Sequence, residues 1–243
     1  MKNKNIMLPN LLTLLGMLCG IYSIVLASNN STERAAIFIL FAAIFDALDG
    51  KVARLVNGES EFGIQLDSLA DLVSFGVAPA FLIFQWQLEQ YGRVGIMAMF
   101  LFAACGALRL ARFNVQTKKI GNLFFVGMPI PGAAGILVSS VLFVYELGLR
   151  GWEYLPYVYL ALVVLLAFLM VSTVPYYSFK KLGFLKTKPF NTIVILVVFL
   201  VIVGSAPKIT VFTVGLLYMI SGFVMIPIAR RLALHAEKKE VSQ

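Results

Sequence analysis

The stretch DALDGKVARLVNGESEFGIQLDSLAD, residues 46–71, places Asp46, Asp49, Asp67 and Asp71 at the facing ends of two strongly apolar segments. Asp46 and Asp49 are three residues apart and Asp67 and Asp71 four apart, so on α-helices each pair shares one face. A lone carboxylate deep in a membrane helix costs about 3 kcal/mol on insertion scales, so four without partners would cost roughly 12. Such a cluster demands cations, either bound metal ions or basic side chains.

The rest of the 243-residue chain shows why a membrane is the setting for that sum. Hydrophobic residues make up 60% of it, charged residues only 13%, and the mean hydropathy is +0.90, far from the composition of soluble domains. Apolar stretches cover residues 8–28, 35–54, 66–87, 94–113, 130–148, 154–174, 190–206 and 209–229, most of them long enough to cross about 30 Å of hydrocarbon as helix. The expected fold is an all-α polytopic membrane helix bundle of about eight transmembrane helices. One membrane domain is expected over residues 5–232, followed by a polar tail over 233–243.

Orientation follows from the basic residues, which are retained on the cytoplasmic side. With both termini cytoplasmic, sixteen of the twenty Lys and Arg fall at inner ends or loops, and only Arg34, Arg93, Arg150 and Lys208 fall outside, each in a different loop. The net charge of +8 then describes an inner face suited to anionic headgroups and phosphates rather than to nucleic acid. The first apolar segment is too long for a signal-peptide core and reads as a span. Cys19 and Cys105 lie within spans, where a small apolar packing role is expected, and the lone His235 lies in the polar tail.

At the inner end of the second span, Asp46, Asp49 and Ala53 fall on one helical stripe. Gly50 and Ala53 leave room for a ligand to approach, and Arg54 supplies a planar donor for phosphate. The third span carries Asp67, Asp71 and Ser74 on a single face, so two acidic stripes can meet across a short loop. Carboxylate-only ligation suits hard divalent ions, and clustered aspartates can hold two of them about 4 Å apart for phosphoryl chemistry. Spacing alone leaves two other readings open: ion pairs with Arg109 and Arg112, or a proton or sodium relay in a carrier. Against the carrier, no acidic residue continues into the middle of the spans.

Residues 46–71 fit D-x-x-D-G-x-x-A-R-x8-G-x3-D-x3-D at every fixed position, and in this the chain resembles the CDP-alcohol phosphatidyltransferases. The resemblance implies transfer of a phosphatidyl group from a CDP-activated lipid to an alcohol with release of CMP. It further implies that Asp46, Asp49, Asp67 and Asp71 surround two divalent cations, Mg2+ or Mn2+, with Ca2+ also able to occupy the site. On the same resemblance Asp71 is also the general base, and Asp49, Gly50, Ala53, Arg54 and Gly63 hold the CDP group, with Asn10 and Thr13 of the first span added to that set. A homodimer in the cell (inner) membrane, its site facing the cytoplasm, is implied as well.

PNLLTLLGMLCG (9–20), ALRLARFN (107–114), GMPIPGAAG (127–135) and VSTVPYYSFK (171–180) resemble the corresponding segments of the bacterial-type phosphatidylserine synthase branch. That likeness implies CDP-diacylglycerol and L-serine as substrates, with Arg109, Arg112, Asn114 and Lys180 around the acceptor or a phosphate. Sibling enzymes using glycerol phosphate or inositol phosphate, or an archaeal ether-lipid donor, are the alternatives. Two positions depart from the branch: Gly132 stands where Ala is expected, and Pro175 where a basic residue is expected. Pro129 and Pro131 more often mark an ordinary helix start, with a shaped loop above the site as the alternative.

Overall fold

The computed structural model describes residues 4–56, 58, 60–116, 124–177 and 204–240. Helix α1 (Lys4–Ser28) packs along α2 (Thr32–Leu55). On α1 the buried face is Thr13, Gly16, Gly20, Ser23 and Ala27, small residues at spacings of three and four. That stripe lets backbones approach closely where lipid supplies no hydrophobic drive. The α2 face that meets it is equally small, with Ala35, Ala36 and Ala42 buried, and the Ser23 hydroxyl donates to the Ala35 carbonyl at 2.9 Å.

The third apolar stretch is one continuous rod, Glu61–Tyr91, longer than the expected 66–87 and not uniformly α-helical. It comprises α3 (Glu61–Asp71), a π-helical segment Leu72–Val77, α4 (Ala78–Ile83), a second π segment Phe84–Leu88 and a closing 3-10 turn Glu89–Tyr91. Pro79 lies at the start of α4 and has no N–H to give the turn before it, so the ladder widens just upstream. Gly92, at φ +51°, turns the chain into α5 (Arg93–Gln116).

Helix α6 (Ile130–Glu146) is buried on nearly every side, as expected of a helix that is apolar all round. Helix α7 (Leu155–Val171) and the long α8 (Pro207–Glu240) complete the described helices. A two-stranded antiparallel ribbon, absent from the expected all-helical bundle, joins β1 (Phe124–Val126) to β2 (Pro175–Tyr177). Just after β1, Gly127 takes φ +81° and donates its N–H to Val174 O at 2.9 Å. Two of the segments singled out in the sequence, 127–135 and the described part of 171–180, residues 171–177, are thereby brought side by side.

Three helices are each long and apolar enough to cross a bilayer, Met7–Ser28, Glu61–Tyr91 and Arg93–Val115, and Ile130–Glu146, Leu155–Val171 and Pro207–Phe223 are shorter apolar helices. Large apolar side chains face outward, among them Leu11, Leu18, Phe100 and Phe168, an exposure that fits lipid rather than water. The chain is a helical membrane protein. The expected span over 190–206 lies almost wholly outside the described residues.

The helix ends sort into two groups. At one end Lys208, opening α8, bonds Glu33 of α2 at 2.8 Å and Glu146 of α6 at 3.1 Å. Toward the other end lie the aspartates of α2 and α3, the Asn114 bond to Ser68 Oγ at 2.9 Å, and Arg112 Nη1 facing Val171 O at 3.5 Å.

Candidate active site

The N-terminal half of α1, the C-terminal half of α2, and α3 with the first π segment build one acidic cavity, lined by Thr13, Gly16, Asp46, Asp49, Asp67, Asp71 and Ser74 with Met17, Ala42, Ala70 and Phe75. Each side chain reaches it by helical periodicity. Asp46 and Asp49 come from one face of α2 and Asp67 and Asp71 from one face of α3, while α1 forms the third wall. Ser60 caps α3, its hydroxyl accepting from Gly63 N–H at 3.0 Å, which fixes where the helix starts and hence which way its aspartates turn.

Asp46, Asp49 and Asp67 each present a carboxylate oxygen, and the three oxygens lie within 4.8 Å of one another. Asp71 lines the same cavity but stands outside that trio. Thr13 Oγ1 lies 2.6 Å from Asp49 Oδ2 and 3.1 Å from Pro9 O; it donates to the buried carboxylate and so fixes its orientation. Ser74 Oγ donates to Gly16 O at 3.2 Å, locking the first π segment against α1. That contact needs Gly20 one turn along, where a Cβ would sit 2.6 Å from Ser74 Oγ and 2.8 Å from its Cα.

The expected nucleotide residues are neighbours of this trio. A Cβ on Gly63 would lie 3.2 Å from Asn10 Oδ1, so Asn10 of α1 and Gly63 of α3 adjoin. At Gly50 the same construction meets only Arg54 Nη2, at 3.8 Å, so the helix surface there is open. Arg54 folds back along that surface, with Nε donating to Gly50 O at 2.9 Å, and Ala53 is half-buried beside it.

The candidate acceptor residues divide. Asn114 is tied to Ser68, the residue after Asp67. Arg109 is buried at 9% exposure, its guanidinium 5.8 Å above the Phe113 ring and within electrostatic range of Asp71. Its Nε has no hydrogen-bond partner among the described residues. Arg112 is half-buried near the end of α7. Lys180 lies outside the described residues.

Ion pairing of the aspartates with Arg109 or Arg112 is not what the structure holds. Among the described residues the ion pairs are those of Lys208, at the far end. Converging carboxylates without a side-chain cation within 4 Å form a site that could hold a metal ion, and an all-oxygen donor set fits a hard divalent one.

Residues 6–168 match the CDP-alcohol phosphatidyltransferase family. The chain belongs to that family. Among curated relatives in it, a Helicobacter pylori protein named CDP-diacylglycerol–serine O-phosphatidyltransferase is 37% identical over 224 residues, 91% of this chain and 92% of the relative. A Bacillus subtilis protein of the same name is 34% identical over 174 residues, 72% of this chain and 92% of the relative. An archaetidylserine synthase from Methanothermobacter thermautotrophicus is 44% identical over 140 residues, 56% of this chain and 57% of the relative.

The two positions expected to differ from the serine branch, Gly132 and Pro175, have a physical setting. An alanine Cβ at Gly132 would press to 3.2 Å from Pro129 Cγ and 3.4 Å from Tyr218 Cε1, so the glycine lets α8 close on the start of α6. Pro175 opens β2 opposite Val126, and the first residue of a strand is a position where a missing N–H is tolerated. Sequence reasoning gave no role to Ser68, Tyr176 or Tyr218, since only tertiary packing puts Ser68 against Asn114, Tyr218 within electrostatic range of Arg109, and Tyr176 on Tyr218.

Proposed function

We propose that this chain is a phosphatidylserine synthase, transferring the phosphatidyl group of CDP-diacylglycerol to the hydroxyl of L-serine with release of CMP. The carrying observation is the trio Asp46, Asp49 and Asp67, gathered within 4.8 Å in a chain whose relatives are named for serine. Those relatives differ in the lipid named and share the serine, which supports the acceptor more firmly than the tails of the donor.

In this reading Asp46, Asp49, Asp67 and Asp71 would hold two divalent cations, Mg2+ or Mn2+. When bound, such ions neutralise the diphosphate and leave its phosphorus open to attack. Asn10, Thr13, Gly50, Ala53, Arg54 and Gly63 would cradle the CDP group, the open helix surface at Gly50 admitting it closely. Asp71 takes the proton from the serine hydroxyl, too weak a nucleophile unaided. The serine oxygen bonds to the phosphorus bearing diacylglycerol, the bond from that phosphorus to the bridging oxygen breaks, and CMP leaves with Arg54 facing its developing charge.

The proposed topology has eight spans and cytoplasmic termini, with one membrane domain over 5–232, in the inner membrane and acting as a homodimer. It is supported by the sixteen-to-four division of basic residues and by the helix ends: α7 finishes beside Arg112, whereas α8 begins beside Glu33 and Glu146. The test is CMP release by purified protein given CDP-diacylglycerol and a panel of alcohols. Serine should lead; preference for glycerol phosphate or inositol phosphate would reduce the reading to the family's common reaction.

A further inference from the structure

Beyond the acidic cavity, a second polar group lies where β2 packs on α8, within electrostatic range of Arg109 of α5. Arg109 of α5 lies within electrostatic range of both Asp71 and Tyr218 of α8. Tyr218 packs on Tyr176 of β2, with ring centroids 5.3 Å apart and planes at 38°. Tyr176 is fully buried, and its ring lies directly on bare α8 backbone, since a Cβ at Gly222 would fall 2.5 Å from its Cε1 and Cζ. Two buried polar atoms lack a hydrogen-bond partner among the described residues, Arg109 Nε and the Tyr176 hydroxyl. Both are donors, and buried donors are ordinarily satisfied.

We infer that Tyr176 and Tyr218, together with Arg109, form the subsite that receives the carboxylate of the acceptor. The guanidinium can only donate and the phenol can donate alongside it, so an anionic group suits the pair. Two sources could supply it, the carboxylate of an amino-acid alcohol and a phosphate of the CDP-lipid. The position favours the carboxylate. The family match ends at residue 168 with every acidic residue of the cavity inside it, whereas Tyr176 and Tyr218 lie beyond it, where residues that distinguish one alcohol from another belong. Arg109 bridges the two regions, its charge reaching Asp71 on one side and Tyr218 on the other, so an alcohol held by its carboxylate here is anchored beside the group that takes its proton. The inference rests on serine being the acceptor.

The experiment is steady-state kinetics on full-length protein, wild type against Tyr176→Phe and Tyr218→Phe, with serine and CDP-diacylglycerol varied in turn. Ethanolamine, which keeps the hydroxyl and ammonium of serine but lacks its carboxylate, is the third substrate. Phenylalanine keeps each ring on its packing partners, so only the hydroxyl is lost. Tyr176→Phe should raise the KM for serine about tenfold, as loss of one hydrogen bond to a charged group does. The KM for CDP-diacylglycerol, and whatever rate of CMP release the wild type shows with ethanolamine, should stay within about twofold. A rise confined to CDP-diacylglycerol would assign the anion to the lipid phosphate and overturn the inference, as would an unchanged serine dependence in both variants. A wild type that releases no CMP with serine would overturn this subsite and the proposed function together.

Discussion

The side chain that best illustrates the chemistry of this cavity is Thr13. Its hydroxyl, 2.6 Å from Asp49 Oδ2, orients a carboxylate that the small-residue face of α1 has already buried. Groups that orient a ligating carboxylate typically matter 10- to 100-fold for ion affinity. Thr13→Val should therefore raise the divalent-ion concentration needed for half-maximal turnover by about tenfold, with activity regained at high ion concentration and with Thr13→Ser near wild type. Asp67→Asn and Asp71→Asn should abolish CMP release while the protein still inserts and folds, and chelation should do the same reversibly. A well-folded, fully active Asp71→Asn would remove Asp71 as general base. The four aspartates were legible in the sequence because a carboxylate in an apolar helix is costly enough to demand a reason. That Asp71 stands outside the trio, and that Arg109 forms an ion pair with none of the four, was not legible, because both depend on how the helices pack in three dimensions.

Among the elements, the contact between α1 and the first π segment governs the geometry of the cavity. Ser74 lies three residues after Asp71 and touches the backbone of α1 across Gly20. Gly20→Ala would drive a Cβ against Ser74 Oγ and Cα, backbone included, and should cost about 1–3 kcal/mol. It should be read as a lower unfolding temperature in detergent together with reduced turnover. Gly135→Ala, where nothing lies within 4 Å of the added Cβ, should leave both unchanged or raise stability by up to about 1 kcal/mol through helix propensity. The extents of most helices were readable from apolar run lengths, since a span must match the bilayer. The two π segments were not, for hydropathy carries no information about which carbonyl an amide chooses. Nor was the ribbon of β1 and β2, three residues a side, too short for any alternation to register.

For the molecule as a whole, the proposed alternation of helix direction rests on Lys and Arg, because charge placement obeys the membrane rather than local packing. Cysteines placed at Asn30 and Glu153 should react with an impermeant reagent from outside the cell, and one at Lys51 should not; the reverse pattern would put the aspartates on the face away from CDP-linked lipid. The meeting of Glu33, Glu146 and Lys208 could not be foreseen, since it joins residues 175 apart in sequence. Its consequence is mechanical. A rod tied at one end has its fulcrum there, and Tyr218, ten residues along α8, lies about 15 Å from that fulcrum. A swing of roughly 10° about Lys208 would carry Tyr218 through about 3 Å on that arm, while Glu33 and Glu146 scarcely move. If the proposed lipid donor enters between α8 and its neighbours, the opening would be wider at Tyr218 than at Lys208. A covalent link at the Lys208 end should leave turnover intact, whereas one joining α8 to α6 near Tyr218 should stop it.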